Sequence, residues 1–306
     1  MRDRLLRIGS SLVQHGPDSD RVYVMRIAPG DVRLVLDEAE SLATRNSYGK
    51  IVVKARASDF GELARRGYRV EAVVPRFHEG GESGLFAGKF LEAGRATPRD
   101  PRIQEVVEAG RAAHARALAE TGPDDRPGSS VEPPTSLAAM SNGGGMPRGE
   151  VVVVDEAGPE DLDELAACYA EVFESYPFPI EDPAHLRAER EHGTRFFTAR
   201  DHGRLVGASS MEPAGPPGVV EMTDFATLPS HRKRGIATDL LALMGRHARE
   251  AGVRVAYTIA RAGSFGMNIT FGRRGYRYAG TLINNTWIGG AIESMNVWYK
   301  ILEDQS

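Results

Sequence analysis

The chain has 306 residues, 38 Lys and Arg against 42 Asp and Glu, a net charge of -4 and a pI near 6.1. That is length enough for two ordinary domains, and no global charge selects nucleic acid or an acidic membrane as partner. The single Cys168 excludes a disulfide framework or a cysteine-built metal site, and the eight histidines offer no zinc-like pair on one helix face, so no metal is expected.

Near the N-terminus Arg7 interrupts the apolar run, and no segment approaches the roughly 20 apolar residues that span a bilayer. The expectation is therefore a cytoplasmic protein without a secretory signal. Residues 1–92 read as the strand RVYVMRIA, a helix over DVRLVLDEAESLA, the strand KIVVKAR, a short helix over SDFGELARRGY, and the strands RVEAVV and GLFAGKFL. Residues 93–149 hold an Ala-rich helix, PRIQEVVEAGRAAHARALAE, and then a stretch from 121 to 149 so rich in Gly, Pro and Ser that it reads as a flexible linker.

Residues 150–306 begin with the strand VVVVDEA and a helix opened by Pro159, whose apolar face carries Leu162, Leu165, Tyr169 and Phe173 and whose Cys168 reads as core. The aromatic loop SYPFPIEDP follows, then RFFTARD and GRLVGASSMEP across a His-Gly turn, then the strand VVEMTDFATL. A helix over IATDLLALMGRHAREAG, the strand VRVAYTIAR, a helix over SFGMNITFGRRGY and the strands YAGTLINNTW and ESMNVWYKIL complete the order. The class is α/β of the α+β kind, with a mixed sheet. Arg-Arg-Gly-Tyr-Arg occurs at Arg65 to Arg69 and again at Arg273 to Arg277, each time between a helix and a strand, which predicts a related half-fold in the first domain.

Chemistry concentrates in TLPSHRKRGIATDLL, residues 227–241, where Arg232, Lys233 and Arg234 crowd the start of a helix. Cations are disfavoured at that end of a helix dipole, so the turn is expected to hold an anion. Arg232-x-x-Gly235-x-Ala237 leaves backbone N–H groups uncovered for phosphate oxygens. On the incoming strand, Glu221 and Asp224 are rival carboxylates for taking a proton, and strict alternation puts them on opposite faces unless a β-bulge intervenes.

The element order and this motif over residues 150–302 resemble the GNAT superfamily of acyl-CoA N-acetyltransferases, with Phe271-x-x-x-Gly275-Tyr276 similar to the family's Y-x-x-x-G-F. The resemblance implies a GNAT fold preceded by a degenerate GNAT-like half-fold, acetyl-CoA as cosubstrate, and a coenzyme site at Phe225, Ala226, Thr227, Arg232, Lys233, Arg234, Gly235, Ile236, Ala237, Thr238, Asn268 and Phe271. Phe271 stands where many members carry a tyrosine proposed to protonate the leaving thiolate, and Ser264 where they carry asparagine.

EMTDFATLP, AYTIARAGSFGMNITF, GTLINNTW, ESMNVWYK and, in the first domain, IGSSLVQHG narrow the resemblance to the β-lysine N-acetyltransferases. That family implies acetylation of the side-chain amine of β-lysine to a neutral compatible solute in osmoadaptation, with lysine 2,3-aminomutase as pathway partner. A homodimer stays open. A substrate with one carboxylate and two amines needs a cation and acceptors: Arg261 suits the first, Asn284, Asn285, Glu293 and Asn296 the second, and Tyr176 and Phe178 suit a lid. The alternatives are another small amine such as a polyamine, or a non-catalytic acyl-CoA-binding sensor.

Overall fold

The computed structural model describes residues 3–120 and 152–302; the stretch expected as a linker, 121–149, lies outside the described residues. The first part runs β1 (Arg4–Ile8), β2 (Ser11–Gly16), β3 (Arg21–Arg26), α1 (Val32–Asn46), β4 (Lys50–Arg56), α2 (Phe60–Arg65), β5 (Arg69–Val74), β6 (Gly84–Phe90) and α3 (Ile103–Glu120). The second runs β7 (Val153–Glu156), α4 (Leu162–Val172), α5 (Pro183–Glu191), β8 (Arg195–Asp201), β9 (Arg204–Pro213), β10 (Val219–Thr227), α6 (Ile236–Glu250), β11 (Val255–Arg261), α7 (Phe265–Arg273), β12 (Arg277–Ile288) and β13 (Ala291–Ile301). Sequence reading leaves out the β1–β2 hairpin and α5.

Among the described residues, thirteen strands join one mixed sheet, in the order β1-β2-β3-β4-β6-β5-β12-β13-β11-β10-β9-β8-β7. The succession β3-α1-β4-α2-β5-β6 repeats as β10-α6-β11-α7-β12-β13, and in both the first two strands pair parallel and the last is inserted between its predecessors. The copies meet through their equivalent strands, β5 and β12, antiparallel at Ala72 and Gly280. Gly280 has φ 152°, and a Cβ there would collide with the Glu71 carbonyl, so the crossing requires glycine.

Amphipathic spacing decides which faces are covered. In α1, Val35, Leu36, Ala39 and Ala43 form one buried stripe over Val24, Ile51 and Val53. In α6, Leu240, Leu241 and Met244 do the same on the second copy, each contributing about 1.5–3 kcal/mol by burial. Helix α4 covers the opposite face of β9 and β10. The remaining faces of the two copies pack on each other through Phe77, Phe86, Val219, Tyr257, Met295 and Val297.

Helix α3 packs along α7. Gly110 lies under the Trp298 ring, where an added Cβ would meet ring carbons at 2.6 Å, and a Cβ on Gly272 would collide with the Gly110 carbonyl. Gly272→Ala is therefore expected to cost about 1–3 kcal/mol and to lower the melting temperature, as measured by calorimetry. An unchanged melting temperature would show that the helices part without cost.

Candidate active site

The site begins where two parallel strands separate. Strands β10 and β11 pair only from Val219–Val255 to Glu221–Tyr257, and beyond that point they splay. On its other side β10 carries a bulge: Thr223 pairs with Ser210 and Ala226 with Ala208, so Asp224 and Phe225 together oppose one residue of β9. Asp224 takes φ 54°, an uncommon conformation for a non-glycine residue. The bulge brings Asp224 to the same face as Glu221, which alternation alone forbids. A cleft of about 90 Å³ lies in the splay, lined by Tyr176, Asp224, Phe225, Arg261, Met267 and Phe271 among others.

The face on which this cleft opens is acidic. Asp224 is buried and accepts hydrogen bonds from the Tyr176 hydroxyl at 2.6 Å and from Ser210 Oγ at 2.7 Å. Glu221 accepts one from the Tyr257 hydroxyl at 2.6 Å, and Lys54 Nζ of β4 donates to that same hydroxyl at 2.9 Å. Glu212 of β9 stands directly across from Glu221.

Burial pushes the Glu221 carboxyl above its usual range, opposed in part by Lys54 and the Tyr257 hydrogen bond. Glu212 is raised further, by burial first and then by Asp224 and Glu221. Burial also holds the Tyr176 and Tyr257 phenols protonated, with Asp224 and Glu221 as their next largest influences. Among the described residues, no group of three or more His, Cys, Asp or Glu side chains is arranged to hold a metal.

The basic turn sits at the far end of β10. Lys233 at φ 66° and Gly235 at φ 84° put the chain into left-handed turns on either side of Arg234, and α6 opens directly after Gly235. Such a segment turns successive N–H groups toward one point, and the first-turn N–H groups of α6 add to it. Nothing lies within 4 Å of where a Gly235 Cβ would be, so the approach is open and fits a pyrophosphate.

Part of the positive charge has a protein partner. His231 and Arg234 both reach Asp201 of β8 at 3.1 Å, and Arg232 Nε reaches the Thr227 carbonyl at 3.3 Å. Lys233 is exposed. Ile236 is buried under the sheet, with Ala237 and Thr238 beside it in the first turn. Phe225 and Phe271 meet edge to face at 5.6 Å on the cleft wall, next to the buried Ala226.

Several expected site residues are engaged elsewhere. Asn268 donates to the Arg261 and Ser264 carbonyls and accepts from Asn296 and Trp298, so it and Asn296 form a buried structural network on the α7 side. Strand β12 breaks register between Leu282 and Thr286, with Asn284 at φ 43°. The freed carbonyls of Ile283, Asn284 and Asn285 accept from Lys50 and Arg21 of the first copy and from Arg95 just after it. Lys50 is wholly buried and also pairs with Glu71; burial lowers its pKa to about 8, against the pull of Glu71.

Asn284 turns its amide to the Arg95 and Thr97 carbonyls, and Asn285 donates to Thr286. Glu293 forms a two-pronged pair with Arg261 through Nε and Nη2. Phe178 is partly buried against the hydrophobic core of the second copy. Cys168 is buried, and burial pushes its thiol up to about 12, away from any nucleophilic role.

The acidic face also holds residues that sequence reading missed. Glu212 had a signal: Gly215-Pro-Pro-Gly218 closes a hairpin that sets it opposite Glu221. Lys54 and Tyr257 had none, because their contact joins two parts of the chain about 200 residues apart.

The Acetyltransferase (GNAT) family pattern matches residues 160–268. Over 98% of this chain and 100% of its own length, the β-lysine N(6)-acetyltransferase of Methanococcus maripaludis is 31% identical. The N-acetyltransferase YodP of Bacillus subtilis is 27% identical over 96% of each chain, and the β-lysine N(6)-acetyltransferase of Methanosarcina mazei 24% identical over 86% of this chain and 95% of its own. The first match takes in both copies of the repeated fold as well as the cleft and the basic turn. The chain thus belongs to the β-lysine N(6)-acetyltransferase family of the GNAT superfamily and is an acetyl-CoA-dependent N-acetyltransferase.

Proposed function

We propose that this enzyme acetylates the N6 amine of β-lysine, yielding N6-acetyl-β-lysine, a zwitterion without net charge suited to act as a compatible solute, downstream of lysine 2,3-aminomutase. The observation that carries the reading is the buried carboxylate face meeting the splay of β10 and β11 at the Asp224 bulge. It supplies acceptors for a cationic amine where an acetyl thioester would lie.

At pH 7 an ammonium of pKa near 10.4 must give up a proton at a cost of about 4.6 kcal/mol before it can attack. Asp224, held by Tyr176 and Ser210, orients the ammonium. Glu221 takes its proton, because burial has raised that carboxyl toward the working pH. The backbone N–H groups of the α6 turn, with Arg232 and Lys233, hold the pyrophosphate of acetyl-CoA, which supplies the acetyl thioester. The nitrogen lone pair forms the amide bond as the C–S bond breaks, and the nitrogen's second proton ends on the sulfur. Phe271 has no proton to give; a thiol of pKa near 8.5 leaves as thiolate without that help.

Thiol release from acetyl-CoA, assayed across amino acids and diamines, tests the assignment; β-lysine turning over no better than the rest would refute it. A polyamine acceptor would suit the acidic face equally, and Arg261 separates the two. Its guanidinium lines the cleft against Gly289 and pairs with Glu293 along the Nε–Nη2 edge, so the Nη1 edge faces the task of taking a carboxylate. Arg261→Ala is expected to raise KM for β-lysine about 10–100-fold and that for the matching decarboxylated diamine far less. Equal changes would assign Arg261 to structure.

A further inference from the structure

The acidic face has more carboxylates than one amine requires. Ser210 Oγ links two of them, donating to Asp224 at 2.7 Å and reaching Glu212 at 3.3 Å, and Glu221 stands across from Glu212. Lys54 acts on Glu221, while burial, Asp224 and Glu221 are the largest influences on Glu212. A separate observation points to the same place. Tyr169 of α4 is wholly buried, and its hydroxyl has no hydrogen-bond partner, although Asp224 and Glu212 are among the charged groups that act on it. An unmet buried hydroxyl costs about 1–3 kcal/mol and is rarely kept without a use.

We propose that Glu212 and the Tyr169 hydroxyl form a subsite for a second ammonium group, so that the enzyme selects acceptors carrying two cationic amines. The inference rests on the acetyltransferase reading above and adds the specificity-determining residue. One amine lies at Asp224 and Glu221 for reaction; the other is held by Glu212 along the same face, with the Tyr169 oxygen accepting one of its protons. Burial and its acidic neighbours raise the Glu212 carboxyl, and an arriving ammonium restores the charged form. A mono-cationic acceptor would leave Glu212 and Tyr169 as they are, with no gain in binding.

The test compares β-lysine with 6-aminohexanoate, the same carbon chain and carboxylate without the β-amine. The wild-type enzyme is expected to favour β-lysine in KM by about 10–100-fold. Glu212→Gln should raise the β-lysine KM by most of that factor while leaving kcat within about three-fold, and move the 6-aminohexanoate KM by less than two-fold. Tyr169→Phe should move the β-lysine KM in the same direction by several-fold without loss of melting temperature. Equal changes for both substrates, no change for either, or a wild type that does not distinguish them would each overturn the subsite. If β-lysine is not acetylated at all, the substrate reading fails by itself. Then 1,4-diaminobutane against 1-aminobutane reads the subsite, and the Glu212→Gln variant must again erase the preference.

Discussion

Replacing Glu221 by glutamine is expected to lower kcat at neutral pH by about 10²–10⁴-fold while acetyl-CoA still binds. Glutamine keeps the shape of the side chain and its place beside Tyr257 but removes its affinity for a proton. The sign of the pH dependence follows from the amine. In the variant only acceptor molecules that arrive neutral can react, and their fraction grows about ten-fold per pH unit below pH 10.4. The wild-type rate levels off once Glu221 is ionised, so the gap closes as pH rises. Asp224→Asn, made alongside, should lose activity without this recovery at alkaline pH, because it removes the group that orients the amine. Near-normal turnover of the Glu221 variant at pH 7 would transfer proton removal to Asp224 or to a water.

Ala237→Glu is expected to weaken coenzyme A binding by about 100-fold or more, read by calorimetry. The substitution sets a carboxylate in the first turn of α6, at the point toward which the N–H groups of the turn converge. The same charge favours the helix dipole by about 0.3–1 kcal/mol, so the melting temperature should hold or rise. That opposition separates a lost anion site from a lost fold. It also avoids Gly235, whose φ of 84° would add backbone strain to any substitution. Unchanged affinity would mean that the pyrophosphate lies elsewhere.

Much of this arrangement was legible from the chain alone, wherever local pattern and long-range pairing agree. The segment Glu221 to Thr227 showed two carboxylates that only a bulge could bring together, and the bulge is there. The repeated Arg-Arg-Gly-Tyr-Arg marked equivalent strands that turn out to be the ones that meet. The hairpin β1–β2 was hidden because Arg4 and Arg7 blur its alternation, and α5 because HLRAERE has a single buried apolar residue, Leu186.

By sequence Asn284 and Asn285, on one of the last two strands, suit the amines of the substrate. The break in the register of β12 between Leu282 and Thr286 turns their side chains to Thr286 and to the segment Arg95–Thr97 instead. Lys54 could not be found by considering the first copy alone, since its partner Tyr257 belongs to the second.

The meeting of β5 with β12 also has a consequence on the ribosome. Strand β5 is complete roughly 200 residues before the Gly280 that pairs with it is made, about 10–40 s at ordinary rates of synthesis. For that interval the nascent chain carries a nearly finished sheet whose last strand has an open edge with Val70 and Val73 beside it. Open edges recruit other strands, and the charge of the exposed Arg69 on this one is the kind that discourages it. A chain truncated before β12 should therefore self-associate through β5, and neutralising Arg69 should lower the soluble yield of the full-length protein more than its stability once folded.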